Sequence, residues 1–135
     1  SALQRVIELW TAIGSKVSTM SPKEHDFIFG AVSHLPHVLI FALMNTLGNL
    51  KSENHNQITS FAGTGLRDIT RIAGSEPAMW RDICISNKDS LLYCLNQFQE
   101  TLNHLKSGIE QENGILLAQQ FETANQHRLN MVNNA

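Results

Sequence analysis

Residues 61–87 read FAGTGLRDITRIAGSEPAMWRDICISN, and their punctuation decides the class of fold. Gly63-Thr64-Gly65 opens a short helix that runs through Arg71, Ile72 and Ala73, and Gly74 stops it. Ser75 is placed to cap a second helix, with Pro77 just inside it and Met79, Trp80, Ile83 and Ile85 as its apolar positions. No alternation of period two interrupts these steps, so the stretch is helix, turn, helix. It also holds Arg67, Arg71 and Arg81, in a chain with only ten Lys and Arg. Arginine presents a planar fork that grips a carboxylate through two parallel hydrogen bonds, so this is where an anion would bind. Arg67 and Arg81, beside Asp68 and Asp82, read as surface ion pairs. Arg71, flanked by Ile69, Ile72 and Ala73 between two glycine turns, is expected to be partly buried.

Upstream, residues 24–37 read EHDFIFGAVSHLPH. A capping box starts this helix: Ser21 as N-cap, Pro22 in the first turn, and Glu24 reaching back. Pro36 removes a backbone bond and should kink or divide the helix. At 100° per residue, Asp26, Gly30, Ser33 and His37 fall within about 40° of one another as one polar stripe, with His34 displaced by about 80°. Val38 to Leu47 is apolar on nearly every side and reads as a central core helix. Residues 48–60 are polar, a loop with a short helical turn that could serve as a flap. Before all this, Leu3, Val6, Ile7, Trp10, Ile13 and Val17 mark an amphipathic helix ending near residues 14–18.

Downstream, Ser86 or Asn87 caps a longer helix whose apolar residues Leu91, Leu95, Phe98, Leu102, Leu105 and Ile109 step by four and three. That is a heptad seam, serving as an internal contact or a dimer interface. Asn113-Gly114 breaks the chain, a last helix runs from Ile115 to about Met131, and the tail at 133–135 should fray. The reading is all-α, in a single domain spanning residues 1–135.

Composition narrows the partners. Only 16% of the 135 residues are charged and 42% are hydrophobic, a balance that hints at a covered interface. A net charge of −2 with no lysine cluster argues against nucleic acid. Cys84 and Cys94 lack metal-type spacing and are taken as reduced, in a cytoplasmic protein. The longest apolar run, Leu35 to Met44, is interrupted by Pro36 and His37 and falls short of the roughly 20 residues a bilayer needs, so no membrane is expected. The abrupt start suggests a piece of a longer protein.

Three chemistries compete at the stripe. His34 and His37 with His25-Asp26 offer metal ligands, but His-Leu-Pro-His matches none of the usual helical spacings, and no metal is expected. A Ser-His-Asp triad cannot close, because Asp26 and His37 are separated by about 16 Å along the axis. The third is a carboxylate site, with Ser33 and the histidines otherwise serving only as hydrogen-bonded packing residues.

SHLPH at 33–37, the preceding His25-Asp26, and RDITRIAGSEPAMWRDI at 67–83 together resemble the prephenate dehydrogenase family. The resemblance extends over nearly the whole chain, including TAIGSKVSTMSPKEHD at 11–26, and points to the family's helical C-terminal domain, of the 6-phosphogluconate-dehydrogenase-like type. It implies an NAD- or NADP-dependent oxidative decarboxylation of prephenate, or of arogenate, in tyrosine biosynthesis. The nucleotide would be held by an N-terminal Rossmann domain that has no counterpart here, as would the histidine that polarises the substrate hydroxyl. By resemblance, Arg71 binds the substrate carboxylate with Asp26 and Asp68 pairing to it, Ser33, His37 and Ser75 face the substrate, His34 lies nearby, and Trp80 is a wall. Thr64 and Leu66 depart from the family's common glycine and phenylalanine, which bears on loop shape. Ending at Ala135 leaves no room for a regulatory ACT domain.

The resemblance thus implies the substrate-binding and dimerisation half of a dehydrogenase, a homodimer through its C-terminal helices and inactive alone. The alternatives are a non-catalytic helical interaction module, or the helical half of a related dehydrogenase for another acid.

Overall fold

The structure is a computed structural model that describes residues 1–51 and 57–133. The middle of the expected flap and the end of the fraying tail lie outside the described residues. Among those described, one isolated antiparallel bridge, Lys51 to Gln57, is the whole of the β content. Everything else regular is helical.

Helix α1 (Ala2–Ala12) is closed by Gly14, whose φ of 89° is open to glycine without strain. Its last carbonyls are capped by Ser15 N–H to Trp10 O and Gly14 N–H to Thr11 O, both at 3.0 Å, the paired bonds of a Schellman turn. Helix α2 (Pro22–Phe29) begins where expected, with Ser21 Oγ accepting from Glu24 N–H at 3.2 Å. Only that half of the capping box forms.

The kink expected at Pro36 is resolved one turn earlier. Residues Gly30–His34 form a π-helical turn that leads without a break into α3 (Leu35–Asn49). Leu35 N–H reaches back five residues to the Gly30 carbonyl. Widening the turn makes room for the proline ring, which would otherwise meet a carbonyl one turn below. The helix is therefore continuous from Pro22 to Asn49, and by length and composition alone it could cross a membrane. The short-run argument made from sequence does not hold for it.

A 3-10 turn (Ile58–Phe61), α4 (Thr64–Thr70) and a second 3-10 turn (Arg71–Gly74) pack along α3. Helix α5 (Pro77–Ser86) is capped by Glu76, whose carboxylate accepts from Ala78 N–H at 3.3 Å. Ser75, the expected cap, instead closes the preceding 3-10 turn. Helix α6 (Lys88–Glu110) packs against α2, the π turn, α3 and α5, then meets α7 (Gly114–Asn133) in an antiparallel hairpin. Asn113 caps α7, its Oδ1 accepting from Leu116 N–H at 3.0 Å.

The core is small. Trp80, Leu91 and Cys94 are the buried apolar side chains among the described residues, and α3, expected at the centre, is only half-buried. Helix α1 and the Ile13 that caps it leave Leu3, Leu9 and Ile13 at 60%, 63% and 66% exposure, and the outer part of the α6 seam leaves Leu102 and Ile109 at 51% and 65%. The chain exposes 10889 Å²; a monomeric globule of 15.1 kDa exposes about 7,100 Å², so the excess is on the order of 3,800 Å².

Candidate functional site

The π turn sets the register of the site. A π turn takes about one residue more than an α turn, so residues after it lag by about one position. His34 then occupies the angular place that Ser33 would hold on an ideal helix, in line with Asp26, and His37 is carried round away from that line. The polar stripe of the sequence is thus split into two faces.

On the first face, the Asn87 amide bridges helices. Its Nδ2 donates to the Asp26 carbonyl at 2.7 Å and to His34 Nδ1 at 3.1 Å. Asn87 occupies the N-cap position of α6, as read from sequence, but its side chain makes no capping bond. Gly30 is buried beneath it: a Cβ there would lie 3.1 Å from Ser90 Cβ and 3.3 Å from Asn87 Nδ2. An open cleft of about 490 Å³ runs past this point, lined by Asp26, His34, Met79, Asp82, Ile83, Ser86 and Asn87. Burial lowers the His34 pKa below its ordinary 6.5, against the pull of Asp26, while His25 and His37 add to the lowering.

On the second face, His37 stacks on Trp80 with ring centroids 3.7 Å apart and 20° between planes. His34 meets the same indole edge-on at 6.2 Å. His37 Nδ1 donates to the Ser33 carbonyl at 2.9 Å, which leaves Nε2 of the neutral ring as an acceptor. The Ser33 hydroxyl has no partner among the described residues. Trp80 is 8% exposed, and its Nε1–H has no acceptor among the described residues.

The arginine segment departs from expectation. Arg71 is exposed rather than partly buried, at the start of the 3-10 turn Arg71–Gly74. It forms no ion pair with Asp26 or Asp68, nor with any other described residue. Asp26 pairs instead with its neighbour His25 at 3.2 Å. Asp68 is exposed and unpaired among the described residues, and Ser75 donates its hydroxyl to the Ile72 carbonyl at 2.7 Å. Arg67 donates from Nε to the Ala62 carbonyl at 3.1 Å, and Arg81 pairs with Asp82 at 2.8 Å. Arg71 therefore carries a guanidinium free to meet an anion from solvent. The structure links Asp26 to His34 through Asn87, and His34 and His37 to Trp80; Arg71, Asp68 and Ser75 share no hydrogen bond or ion pair with them. Among the described residues no three His, Cys, Asp or Glu side chains group as metal ligands.

The profile of the prephenate dehydrogenase dimerization domain matches residues 21–123. This chain belongs to the prephenate dehydrogenase family. It is 31% identical to the cyclohexadienyl dehydrogenase of Zymomonas mobilis over 95% of its own length and 44% of that protein. It is 36% identical to the prephenate dehydrogenase of Bacillus subtilis over 94% of its length and 34% of that protein. Among solved structures, it is similar to prephenate dehydrogenase from Aquifex aeolicus in complex with hydroxyphenyl propionate and NAD+. That likeness has a TM-score of 0.87 at 38% identity and covers 96% of this chain and 45% of that one. The chain thus spans less than half the length of the relatives it matches, and its fold is their helical C-terminal domain.

The family's nucleotide does not fit the described residues. Gly63 caps a helix of seven residues that already includes Thr64 and Gly65, and no strand leads into it, so among the described residues there is neither the βαβ setting nor the glycine-rich phosphate turn of a dinucleotide site.

Asn87 and Gly30 are the residues whose importance was missed. Asn87 lies 61 positions from Asp26, so no local pattern could pair them. Gly30 stood on the polar stripe, and a buried helical glycine is a sign of close backbone approach.

Proposed function

We propose that this chain is the substrate-binding and dimerisation half of an NAD(P)-dependent prephenate dehydrogenase, which oxidatively decarboxylates prephenate to 4-hydroxyphenylpyruvate in tyrosine biosynthesis. The observation that carries this is the free Arg71 guanidinium in a fold shared, at 38% identity, with an enzyme solved with an aromatic carboxylate. The chain's share is recognition and orientation. Arg71 binds the carboxylate, Ser33, His37 and Ser75 face the substrate, and the flat His37–Trp80 pair supplies an aromatic wall. Asp26, His34 and Asp68 support that arrangement. NAD or NADP is held by a separate nucleotide-binding domain.

A homodimer through the C-terminal helices accounts for the exposed α6 seam and the surface excess. The free thiols of Cys84 and Cys94 support a cytoplasmic setting.

The test is steady-state reduction of NAD+ and of NADP+ by the longer protein that carries this chain, with prephenate and arogenate titrated in parallel, alongside sedimentation of the 135-residue chain. Turnover of prephenate by the longer protein, none by the chain alone, and a dimer in sedimentation are expected. Turnover by the chain alone overturns the division of labour, and no turnover of prephenate by the longer protein overturns the substrate.

A further inference from the structure

Asn87 sits where α5 passes into α6, 9% exposed, with both hydrogens of its amide nitrogen engaged. A backbone carbonyl can only accept, so the contact with Asp26 O fixes which end of the amide is nitrogen. The same nitrogen then donates to His34 Nδ1. His34 Nδ1 is therefore the acceptor, and the proton of the neutral ring resides on Nε2.

His37 carries the reverse assignment. Its Nδ1 faces the Ser33 carbonyl, so Nδ1 holds the proton and Nε2 the lone pair. These two rings of opposite hydrogen-bonding character lie against one indole, at 6.2 and 3.7 Å from Trp80. The seat for the amide is built into the backbone, since any side chain at Gly30 would press on Asn87 Nδ2.

We propose that Asn87 is a positioning residue that fixes His34 as the Nε2–H tautomer, so that His34 offers a hydrogen-bond donor to a ligand in the cleft it lines. A carboxylate, which only accepts, suits that donor, and the other tautomer would leave it facing a lone pair. The use of that donor rests on the function proposed above; the tautomer assignment does not.

The test is nitrogen-15 NMR of the imidazole rings at neutral pH, in the chain and in Asn87→Asp. The titratable groups facing His34 are Asp26, His25 and His37 from its own helix and Asp82 of α5 across the cleft, so the spectra are compared at one pH. In the unmodified chain His34 should be protonated at Nε2 and His37 at Nδ1. A carboxylate at position 87 can only accept from the ring, so Asn87→Asp should protonate His34 at Nδ1 and leave His37 unchanged. A His34 proton on Nδ1 in the unmodified chain, or the same pattern in both proteins, overturns the proposal. The first of these needs no variant, so a poorly folded Asn87→Asp does not shield it.

Hydroxyphenyl propionate, titrated into both, separates the two readings. Its affinity should fall about tenfold in Asn87→Asp. A switched tautomer with unchanged affinity overturns the role in ligand recognition. No binding to the unmodified chain, with the tautomers as assigned, overturns the substrate-binding function and leaves the tautomer assignment standing.

Discussion

His37 lies flat on Trp80, ring centroids 3.7 Å apart and planes 20° from parallel. The contact ties the helix after the π turn to α5, and it is made by the faces of the two rings, not by their nitrogens. Trp80→Phe should therefore keep the fold within about 1.5 kcal/mol, because a flat ring remains and a buried N–H without an acceptor is removed. Trp80→Ala should cost about 3–5 kcal/mol. Urea unfolding of both variants checks this. Equal losses would mean that the indole nitrogen, not the ring face, matters.

Arg71 is exposed and has no partner among the described residues, so Arg71→Ala should leave the unfolding midpoint within about 0.5 kcal/mol. On the function proposed above, the same change in an enzyme that carries this domain should raise KM for prephenate about 100-fold or more, as a carboxylate loses its bidentate partner. An unchanged KM would return this arginine to the solvent and favour a purely structural domain.

Gly30 and Gly108 are both buried in helix crossings, but they should respond differently to a methyl group. At Gly30 the added Cβ meets Ser90 Cβ at 3.1 Å and the doubly bonded Asn87 amide at 3.3 Å, and neither can yield easily. At Gly108 it meets Leu116 Cδ2 at 2.8 Å and Leu117 Cδ2 at 3.0 Å, ends of side chains that can change rotamer. Gly30→Ala should lose about 1–3 kcal/mol. Gly108→Ala should lose less, since about 1 kcal/mol of helix propensity offsets the clash. Thermal melts of the pair decide, and the reverse order would refute the close approach at Gly30.

Below pH 6.5 the unfolded chain takes up a proton at residue 34 that half-buried His34 in the folded chain resists. Its folded pKa is depressed, so its contribution to stability is full above 6.5 and is lost as pH falls through the lower folded value. His34→Gln should flatten the pH dependence of stability below 6.5 relative to the unmodified chain. Urea midpoints measured across that range are the check, and parallel profiles would assign the acid sensitivity elsewhere.

The helices were legible because their signals are local. Ser21 with Pro22 and Asn113-Gly114 each act on neighbouring backbone groups and mark an end where it was read, whereas α1 stops at Ala12, short of the expected end at residues 14–18, because Gly14 closes it with a Schellman turn. Pro36 was read correctly as a disturbance, yet its effect was relieved in the turn before it, which shifted the phase of every later residue. That shift is why the stripe of Asp26, Ser33 and His37 came apart and His34 moved into line. The exposure of Arg71 and the bridge made by Asn87 depend on how distant helices dock, and no spacing along the chain encodes that.

The surface excess has a consequence for how this protein comes to be folded. A protomer that leaves the apolar faces of α1 and outer α6 in water has few buried side chains of its own to offset chain entropy. If those faces close on a second copy, folding and pairing become one mass-action equilibrium, and melting temperature rises with protein concentration. The supply of newly made chains, as much as any bond within one of them, then sets how much of this protein is folded at all.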